Sequence, residues 1–253
     1  MNLKPTLVHD DQENLAKLDE AWTTKPILRR IYTEQFYGRL LAQAVPNAPI
    51  LEIGSGAGRL REVAPNVIRS DILYSPGINC VVDAHELPFA TSTFGTIIGL
   101  DVLHHFSQPL HFLTETARVL RPGGRLVLVE PWITPFSRFI YTYLHQEETD
   151  LSAQPWRDDT LSNAEKLAFD GNPAIPYLLL ERGHQHLRTA VPALRLCQIE
   201  RFSLLTYLLS LGFKPGSLLP LPLYPLLYQI EEITRPAWAR LAALRALIVW
   251  EKH

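Results

Sequence analysis

The stretch that decides the fold is ILEIGSGAG at residues 50–58. It begins as a short apolar segment, typical of a buried strand, and runs directly into three glycines at alternate positions. In such a turn Gly54 lets the chain bend, and Gly56 lets a ligand approach the backbone ahead of a helix start. Ligands of open α/β sheets bind at the carboxyl ends of strands, so the stretch predicts a ligand-binding turn at such an edge.

Further short apolar segments follow this turn and alternate with turns or helices. The clearest helix lies between the fourth and fifth segments, where Leu110, Leu113 and Ala117 line one face. Near-continuous apolar strands that alternate with helices are typical of a parallel sheet covered on both faces. We expect strands at 50–53, 67–71, 80–83, 96–101, 125–130, 195–202 and 246–250.

The composition is that of an ordinary globular protein of 253 residues, 47% of them apolar and 20% charged. The formal net charge of −2 argues against a nucleic-acid binder with a broad basic face, because neutralising phosphates requires clustered Lys and Arg. Cys80 and Cys197 lie far apart, which indicates neither a disulfide framework nor a Cys-rich zinc site and favours a reducing, cytoplasmic compartment. Residues 1–13 carry acids and no apolar run, so we expect no secretory signal there.

The spacing of the glycines narrows the choice of ligand. A dinucleotide-binding turn reads G-x-G-x-x-G and holds a pyrophosphate, whereas this turn reads G-x-G-x-G and has Glu52 two positions before its first glycine. A buried acid at that position would repel a pyrophosphate and suits a cationic amino acid group. A tight turn without any ligand stays open as an alternative for the loop taken alone.

Acidic residues follow the next strands as well. Asp71 ends the second strand, where a carboxylate can accept both hydroxyls of a ribose, and Ile72 beside it can pack on a purine. Asp83 and Ala84 end the third strand, placed to meet an adenine edge. A solvated acid is the simpler explanation for any one of these residues, but four in register with the glycine turn favour a shared ligand site. The remaining two strand-end acids are Asp101 and Glu130.

The run from residue 50 to residue 132 resembles the class I S-adenosylmethionine-dependent methyltransferases, in their broad small-molecule subgroup. It covers about a third of the chain, and its pieces occur in the order of the family. They are ILEIGSGAG at 50–58, SDI at 70–72, VVDAHELPF at 81–89, LDVLHHF at 100–106 and RVLRPGGRLVLVEP at 118–131.

The resemblance implies S-adenosylmethionine as the cofactor, with S-adenosylhomocysteine as its product. The methionine part would lie on the glycine turn, the ribose on Asp71 and the adenine against Asp83 and Ala84, while Leu100 would border the methyl. The chain departs from the family between Gly58 and Val67, where only residues 59–64 remain for the first crossover helix. The implied cofactor-binding residues are Glu52, Gly54, Ser55, Gly56, Asp71, Ile72, Asp83, Ala84 and Leu100.

Together these patterns predict an α/β, Rossmann-like doubly wound sheet of about seven strands, mostly parallel with an antiparallel last strand, plus an insertion or lid after the fifth strand. We expect residues 1–253 to form a single methyltransferase domain. Its parts would be an N-terminal helical cap at 1–45, a cofactor-binding core at 50–132, a substrate lid with an apolar elaboration at 133–230 and a closing strand at 246–250.

Catalysis of methyl transfer mainly requires alignment, because the sulfonium methyl is already activated. A base is needed only if the acceptor arrives protonated. His104 and His105 follow the fourth strand and are candidate bases, with a structural role as the alternative. A zinc site that joins them to His111 is disfavoured, because adjacent histidines point apart on a helix, so we expect no metal.

The segment after the fifth strand carries a third candidate base, His145. Aromatic and acidic residues surround it in sequence, and they could form an acceptor pocket or simply a polar lid surface. The other members of this group are Tyr141, Tyr143, Glu147, Glu148 and Asp150.

The stretch 202–230 is apolar, with Lys214 as its one charged residue. Gly212 and several prolines interrupt it, so it is not expected to span a membrane. Four interpretations stay open: buried core, an acceptor tunnel, a dimer face and a patch on a membrane surface. The last two leave room for a homodimer and for peripheral contact with the inner face of a membrane.

We therefore expect a cytoplasmic enzyme that methylates a small-molecule acceptor, and an apolar or lipid-linked acceptor would suit the apolar stretch. One alternative is a protein that binds S-adenosylmethionine without catalysis, and a weaker one is a NAD(P)-dependent oxidoreductase. Nucleic acid is not expected as a partner. No Asn-Pro-Pro or Asp-Pro-Pro follows the fourth strand, where LDVL stands at 100–103, and the chain is not basic.

Overall fold

The structure is a computed structural model that describes residues 5–144, 147–157 and 168–253, with side chains described from residue 11 onward. Its centre is a seven-stranded sheet. The strands are β1 (Ile50–Ile53), β2 (Ile68–Asp71), β3 (Cys80–Val81), β4 (Phe94–Leu100), β5 (Leu120–Pro131), β6 (Leu194–Phe202) and β7 (Arg245–Lys252).

The strand order is β3-β2-β1-β4-β5-β7-β6. The first five strands run parallel, and β7 pairs antiparallel with both β5 and β6. This arrangement confirms the predicted fold class and its antiparallel last strand. Residues 121–124 lie inside β5, where they loop out of the ladder between the pairs Phe94–Leu120 and Thr96–Arg125.

Helices cover both faces of the sheet. The crossover between β1 and β2 contains only a 3₁₀ turn, Arg59–Glu62, as the short spacing predicted. The predicted N-terminal helical cap contains a π-helical segment, Tyr32–Tyr37. The α-helices are α1 (Pro5–Thr24), α2 (Pro26–Ile31), α3 (Gly38–Ala42), α4 (Pro109–Val119), α5 (Pro135–Tyr143), α6 (Ile175–Tyr177), α7 (His184–Ala190), α8 (Leu205–Ser210) and α9 (Tyr224–Ala242).

Alternation along the central strands explains the two cores. Successive side chains of a strand point to opposite faces, so Leu126 and Leu128 of β5 enter one cluster with Phe112 of α4. Val127 and Val129 enter the other cluster, against Phe36. Residues 126–129 of β5 are therefore apolar at every position, which is why this part of the strand shows no alternation of polar and apolar residues.

Helix α1 lies against the turn that follows β1. Arg59 pairs with Asp19, and the indole N–H of Trp22 donates to Glu62 Oε1 at 3.0 Å. The first crossover is short, and α1 supplies cover that a longer crossover helix would otherwise give.

The apolar stretch 202–230 divides between core and surface. Phe202 and Tyr224 are fully buried in the second cluster, while Leu218 and Leu226 are more than half exposed. Within the ranges that the structure describes, no helix has the length and apolarity needed to cross a membrane. Strand β6 lies inside the segment interpreted as lid and elaboration, so part of that segment completes the sheet.

Candidate active site

The glycine turn at the end of β1 has the conformation that its sequence predicted. Gly56 and Gly58 both have positive φ angles, +52° and +67°. A side chain on Gly58 would lie 2.2 Å from the carbonyl oxygen of Gly77, so that position has no room for one. At Gly56 the nearest atom to an added Cβ is Cδ1 of Leu15, at 3.8 Å, which leaves the backbone there approachable.

Glu52 lies beneath this turn as a buried acid. The hydroxyl of Ser55 donates to its Oε2 at 2.7 Å. Burial raises the pKa of the Glu52 carboxyl to about 7, and the hydrogen bond from Ser55 opposes that rise only in part. A cation that approached Glu52 would favour its ionised form.

Asp71, at the end of β2, is held by the backbone of two neighbouring turns. Its Oδ2 accepts from the N–H of Gly56 at 2.7 Å, and its Oδ1 accepts from the N–H of Leu73 at 2.8 Å. Burial raises the pKa of Asp71, while these N–H groups lower it. Ile72 is 50% exposed beside it. The glycine turn and the first strand-end acid therefore form one connected structure.

Asp83, after β3, makes its contacts locally. Its Oδ1 accepts from the backbone N–H of His85 at 2.9 Å and lies 2.8 Å from the Nδ1 of the same residue. The hydrogen bond to the His85 ring lowers the pKa of Asp83 against the effect of burial. Ala84 between them is buried. His85 was not among the predicted site residues. Its position two residues after an aspartate is the only local signal for this turn.

His104 and His105 lie in a 3₁₀ turn, Leu103–His105, just beyond β4. The expectation that adjacent histidines point apart is wrong here, because their ring centroids lie 4.1 Å apart. The helical turn ends at His105, so the rule for a continuing helix does not apply, and both rings converge on Gly171. His111 lies elsewhere, with its ring 5.8 Å from that of His85.

Glu130 contacts the 3₁₀ turn that contains His104, and not the glycine turn. Its Oε1 accepts from the backbone N–H groups of Val102 and Leu103 at 2.9 and 2.7 Å, and its Oε2 lies 2.7 Å from the Nδ1 of His104. Burial alone would lower the pKa of His104. The hydrogen bond and charge of Glu130, with those of Glu147, outweigh burial and raise that pKa to about 9.

One acid of the predicted insertion group reaches the two histidines. Glu147 has Oε2 at 3.5 Å from the Nε2 of His104 and Oε1 at 3.9 Å from the Nε2 of His105. The others do not join them: Glu148 and Tyr143 are exposed, Tyr141 donates to the carbonyl of Leu244, and Asp150 accepts from Ser152. His145 lies outside the described residues.

Asp101, predicted as a strand-end acid, pairs with Arg245 of β7. The Nη2 of Arg245 also donates to the hydroxyl of Tyr207 at 3.2 Å, and Tyr207 is hydrogen-bonded to Tyr32 of the π-helical segment. Arg245, Tyr207 and Tyr32 were not predicted from the sequence, because they lie far from Asp101 along the chain. A π-helical segment often marks a functional site, but it is visible only in the structure. Leu100, at the end of β4, is half-buried against the second core.

Comparison with known proteins finds a methyltransferase domain within this chain. Residues 51–128 match the family model described as a methyltransferase domain. The chain is 43% identical over 53 residues to 27-O-demethylrifamycin SV methyltransferase from Amycolatopsis mediterranei (strain S699), covering 21% of this chain and 20% of that protein. It is 30% identical over 187 residues to probable tRNA methyltransferase 9B from Bos taurus, covering 66% of this chain and 36% of that protein. The chain thus spans about a third or less of these two relatives.

A solved structure shows the same fold. It is a SAM-dependent methyltransferase from Thermotoga maritima, described as a possible histamine N-methyltransferase, with a TM-score of 0.55 and 14% identity over 96% of this chain and 99% of that one. The matched family model and the common fold extend over the glycine turn, the strand-end acids and the histidine turn. Residues 51–128 thus form a methyltransferase domain, and the chain has the fold of the class I S-adenosylmethionine-dependent methyltransferases.

Proposed function

We propose that this chain transfers a methyl group from S-adenosylmethionine to a small-molecule acceptor. The observation that carries the proposal is the position of Asp71, which two backbone N–H groups hold at the edge of the glycine turn. An ionised carboxylate can accept about four hydrogen bonds. The N–H groups of Gly56 and Leu73 use two of these positions and that of Ile72 also faces the carboxylate, so at least one remains for a ribose hydroxyl.

The residues around Asp71 fit the rest of the cofactor. Ile72 is half exposed and offers an apolar surface for a purine. The backbone at Gly56 is approachable, and Glu52 beneath it is an acid that a cationic amino group would help to ionise. Asp83 and Ala84 lie at the next strand end, where the family resemblance puts the adenine.

The cofactor and the protein would make different contributions to methyl transfer. When bound, the cofactor supplies a methyl group that is already activated on its sulfonium sulfur. The residues of the glycine turn and Asp71 hold it in one orientation, an alignment effect that contributes up to ~7–11 kcal/mol in favourable intramolecular reactions. His104 and His105 lie beyond β4, on the side where Leu100 would border the methyl, and they are the chain's candidates for contact with the acceptor.

His104 has a particular constraint as a base. With its pKa raised to about 9, the His104 ring is an imidazolium at neutral pH, protonated on both nitrogens, and has no lone pair left to accept a proton. Proton removal from an acceptor by His104 therefore requires that the ring first lose its own proton. His105, in the same turn, is the second candidate base there. His145 keeps its place as a candidate from the sequence alone.

Two acceptor classes differ in support. The name of the Amycolatopsis relative describes a small molecule as its substrate, and the net charge of −2 disfavours a nucleic acid. The name of the Bos taurus relative describes tRNA, which makes tRNA the second candidate. Incubation with labelled S-adenosylmethionine and either tRNA or a small-molecule extract distinguishes them, since label in the tRNA fraction alone would overturn the small-molecule proposal.

Isothermal titration with S-adenosylhomocysteine tests the cofactor site directly. Asp71→Asn should weaken binding by about tenfold or more, equivalent to about 1.4 kcal/mol, because the amide no longer offers a charged acceptor to the ribose. Asp150→Asn changes an exposed acid that accepts from Ser152 and should bind like the wild type. No binding by the wild type, or binding of NAD(P) instead, would contradict the proposal.

A further inference from the structure

His104, His105 and Glu147 bring three metal-binding side chains together. One donor atom from each lies within 4.8 Å of the others. The Nε2 atoms of the two histidines both face the carboxylate of Glu147, at 3.5 and 3.9 Å. The cluster lies beyond β4, and it involves none of the residues to which the cofactor is assigned.

The two distances between the histidine Nε2 atoms and the Glu147 carboxylate indicate how the three side chains interact. They exceed the roughly 2.7–3.2 Å of an ordinary N–H···O hydrogen bond. Two donors that bind one tetrahedral ion at about 2.1 Å lie about 3.4 Å apart. The spacing between His104, His105 and Glu147 is therefore closer to that of side chains around a shared ion than to that of directly bonded partners.

Glu130 completes the arrangement from the other side of His104. Its carboxylate is fully buried and lies 2.7 Å from Nδ1, and the N–H groups of Val102 and Leu103 hold it in place. A carboxylate on the second nitrogen is the usual support of a metal-binding histidine, because it keeps the proton on that nitrogen and directs the other lone pair to the metal.

The backbone packed on the rings restricts their movement. A side chain at Gly171 would lie 2.8 Å from Cδ2 of His104 and 2.9 Å from Nδ1 of His105. The N–H of Asn172 donates to the carbonyl of His104 at 3.0 Å. The two imidazoles are thus held side by side by a segment that contacts both.

We propose that His104, His105 and Glu147 bind a divalent transition-metal ion of the zinc type. Two imidazoles and one carboxylate suit zinc and its neighbours better than magnesium or calcium, which prefer oxygen ligands. Three protein ligands leave a fourth position open. A second group, Asp101, His104 and Glu130, is also close enough, but Asp101 pairs with Arg245 and Glu130 already binds the histidine and two backbone N–H groups.

The ion also gives the acceptor a place to bind, in a step that rests on the proposed methyl transfer. An acceptor hydroxyl on the open position would lose its proton to solvent more easily. Its oxygen would then form the new bond to the methyl carbon as the bond from that carbon to sulfur breaks. The proposed metal site differs from the expectation, drawn from the sequence, that the chain holds no metal.

Metal binding is tested on the full chain without a histidine tag, after removal of bound metal with a chelator. Titration with Co²⁺ should give the visible bands of tetrahedral cobalt at one equivalent, and Zn²⁺ should displace it. His105→Ala and Glu147→Gln should each weaken Zn²⁺ binding by about tenfold or more, and Glu130→Gln by about 10–100-fold.

Two exposed neighbours provide matched controls. His111→Ala and Glu148→Gln should bind Zn²⁺ like the wild type. Binding of S-adenosylhomocysteine should be unchanged in His105→Ala and Glu147→Gln, which shows that these variants are folded and separates the metal site from the cofactor site. No Zn²⁺ binding by the wild type, or equal loss in site and control variants, overturns the proposal whatever the outcome for methyl transfer.

Discussion

Two regions at the same end of the sheet are built differently. One is the edge proposed to bind the cofactor, called the cofactor edge, which consists of the turns after β1, β2 and β3. The other is the pairing cluster, which consists of Asp101, His104, Glu130, Glu147 and Arg245. In the cofactor edge the contacts are short in sequence and use the backbone, as in the bond from Gly56 to Asp71. In the pairing cluster side chains pair with side chains, and Asp101 and Arg245 are 144 positions apart.

This difference predicts that residues of the cofactor edge mainly affect ligand affinity, whereas residues of the pairing cluster mainly affect stability. Asp71 keeps hydrogen-bonding capacity for a ligand, so changing it should mainly alter affinity. Asp101 and Glu130 already use their hydrogen-bonding capacity on other side chains or on the backbone. Removing a partner therefore leaves a buried charge unpaired, which destabilises the fold. Three variants test the comparison.

The largest effect is expected at Arg245. Arg245→Met removes the partner of Asp101, whose side chain is 24% exposed, while that of Arg245 is 5% exposed. Breaking such a pair typically costs ~3–5 kcal/mol. Urea unfolding should show a loss near the lower end of that range, because water reaches Asp101 in part.

Arg240→Met is the control, because Arg240 is exposed on α9 and its replacement should change stability by less than about 0.5 kcal/mol. The double variant Asp101→Asn, Arg245→Met should recover part of the loss, since no charge then remains unpaired. Equal stability of Arg245→Met and the wild type would remove the distinction between the two regions.

The next effect sharpens the comparison inside the cofactor edge. Gly58→Ala places a Cβ in the left-handed region and within 2.2 Å of the Gly77 carbonyl oxygen. We expect a loss of ~2–3 kcal/mol in unfolding free energy. Gly123→Ala has a similar φ of +72° with no atom within 4 Å, and it should cost only ~1–2 kcal/mol. If both variants lose the same amount, contact with Gly77 contributes nothing to the turn.

The smallest effect of a substitution concerns the pH dependence of cofactor binding. Glu52 has a pKa of about 7, and a cationic amino group favours its ionised form. The affinity for S-adenosylhomocysteine should therefore be greatest above pH 7 and fall about tenfold between pH 8 and pH 6. Glu52→Gln should bind more weakly at pH 8 and lose most of this dependence. A wild-type affinity that does not change with pH would place the amino group away from Glu52.

The same group affects stability in the absence of ligand. Its pKa is raised from 4.5 to about 7 in the folded chain, so its contribution to stability is fully present below pH 4.5 and is lost as pH rises toward 7. The loss is of the order of ~3 kcal/mol. Urea unfolding between pH 4.5 and pH 8 should show a shallower decline in Glu52→Gln than in the wild type.

Much of the cofactor edge could be predicted from the sequence, since β1 has the predicted bounds and β2 begins one residue later than expected. The placement of Asp71 beside the glycine turn follows from two adjacent parallel strands ending at one edge. His104 and His105 were found as candidates, but their approach to each other was not. It depends on where a 3₁₀ turn stops and on Gly171, more than 60 residues downstream.

The sequence by itself determined the sheet, its glycine turn and the acids that follow its strands, because strand periodicity, positive φ and strand-end position are local properties of the chain. Only the tertiary structure decided which of those acids are available to a ligand. Strand β7 returns between β5 and β6 and brings Arg245 to Asp101. The segment after β5 brings Glu147 to the two histidines. Such contacts join parts of the chain that no local pattern connects, and their geometry exists only once the sheet has formed.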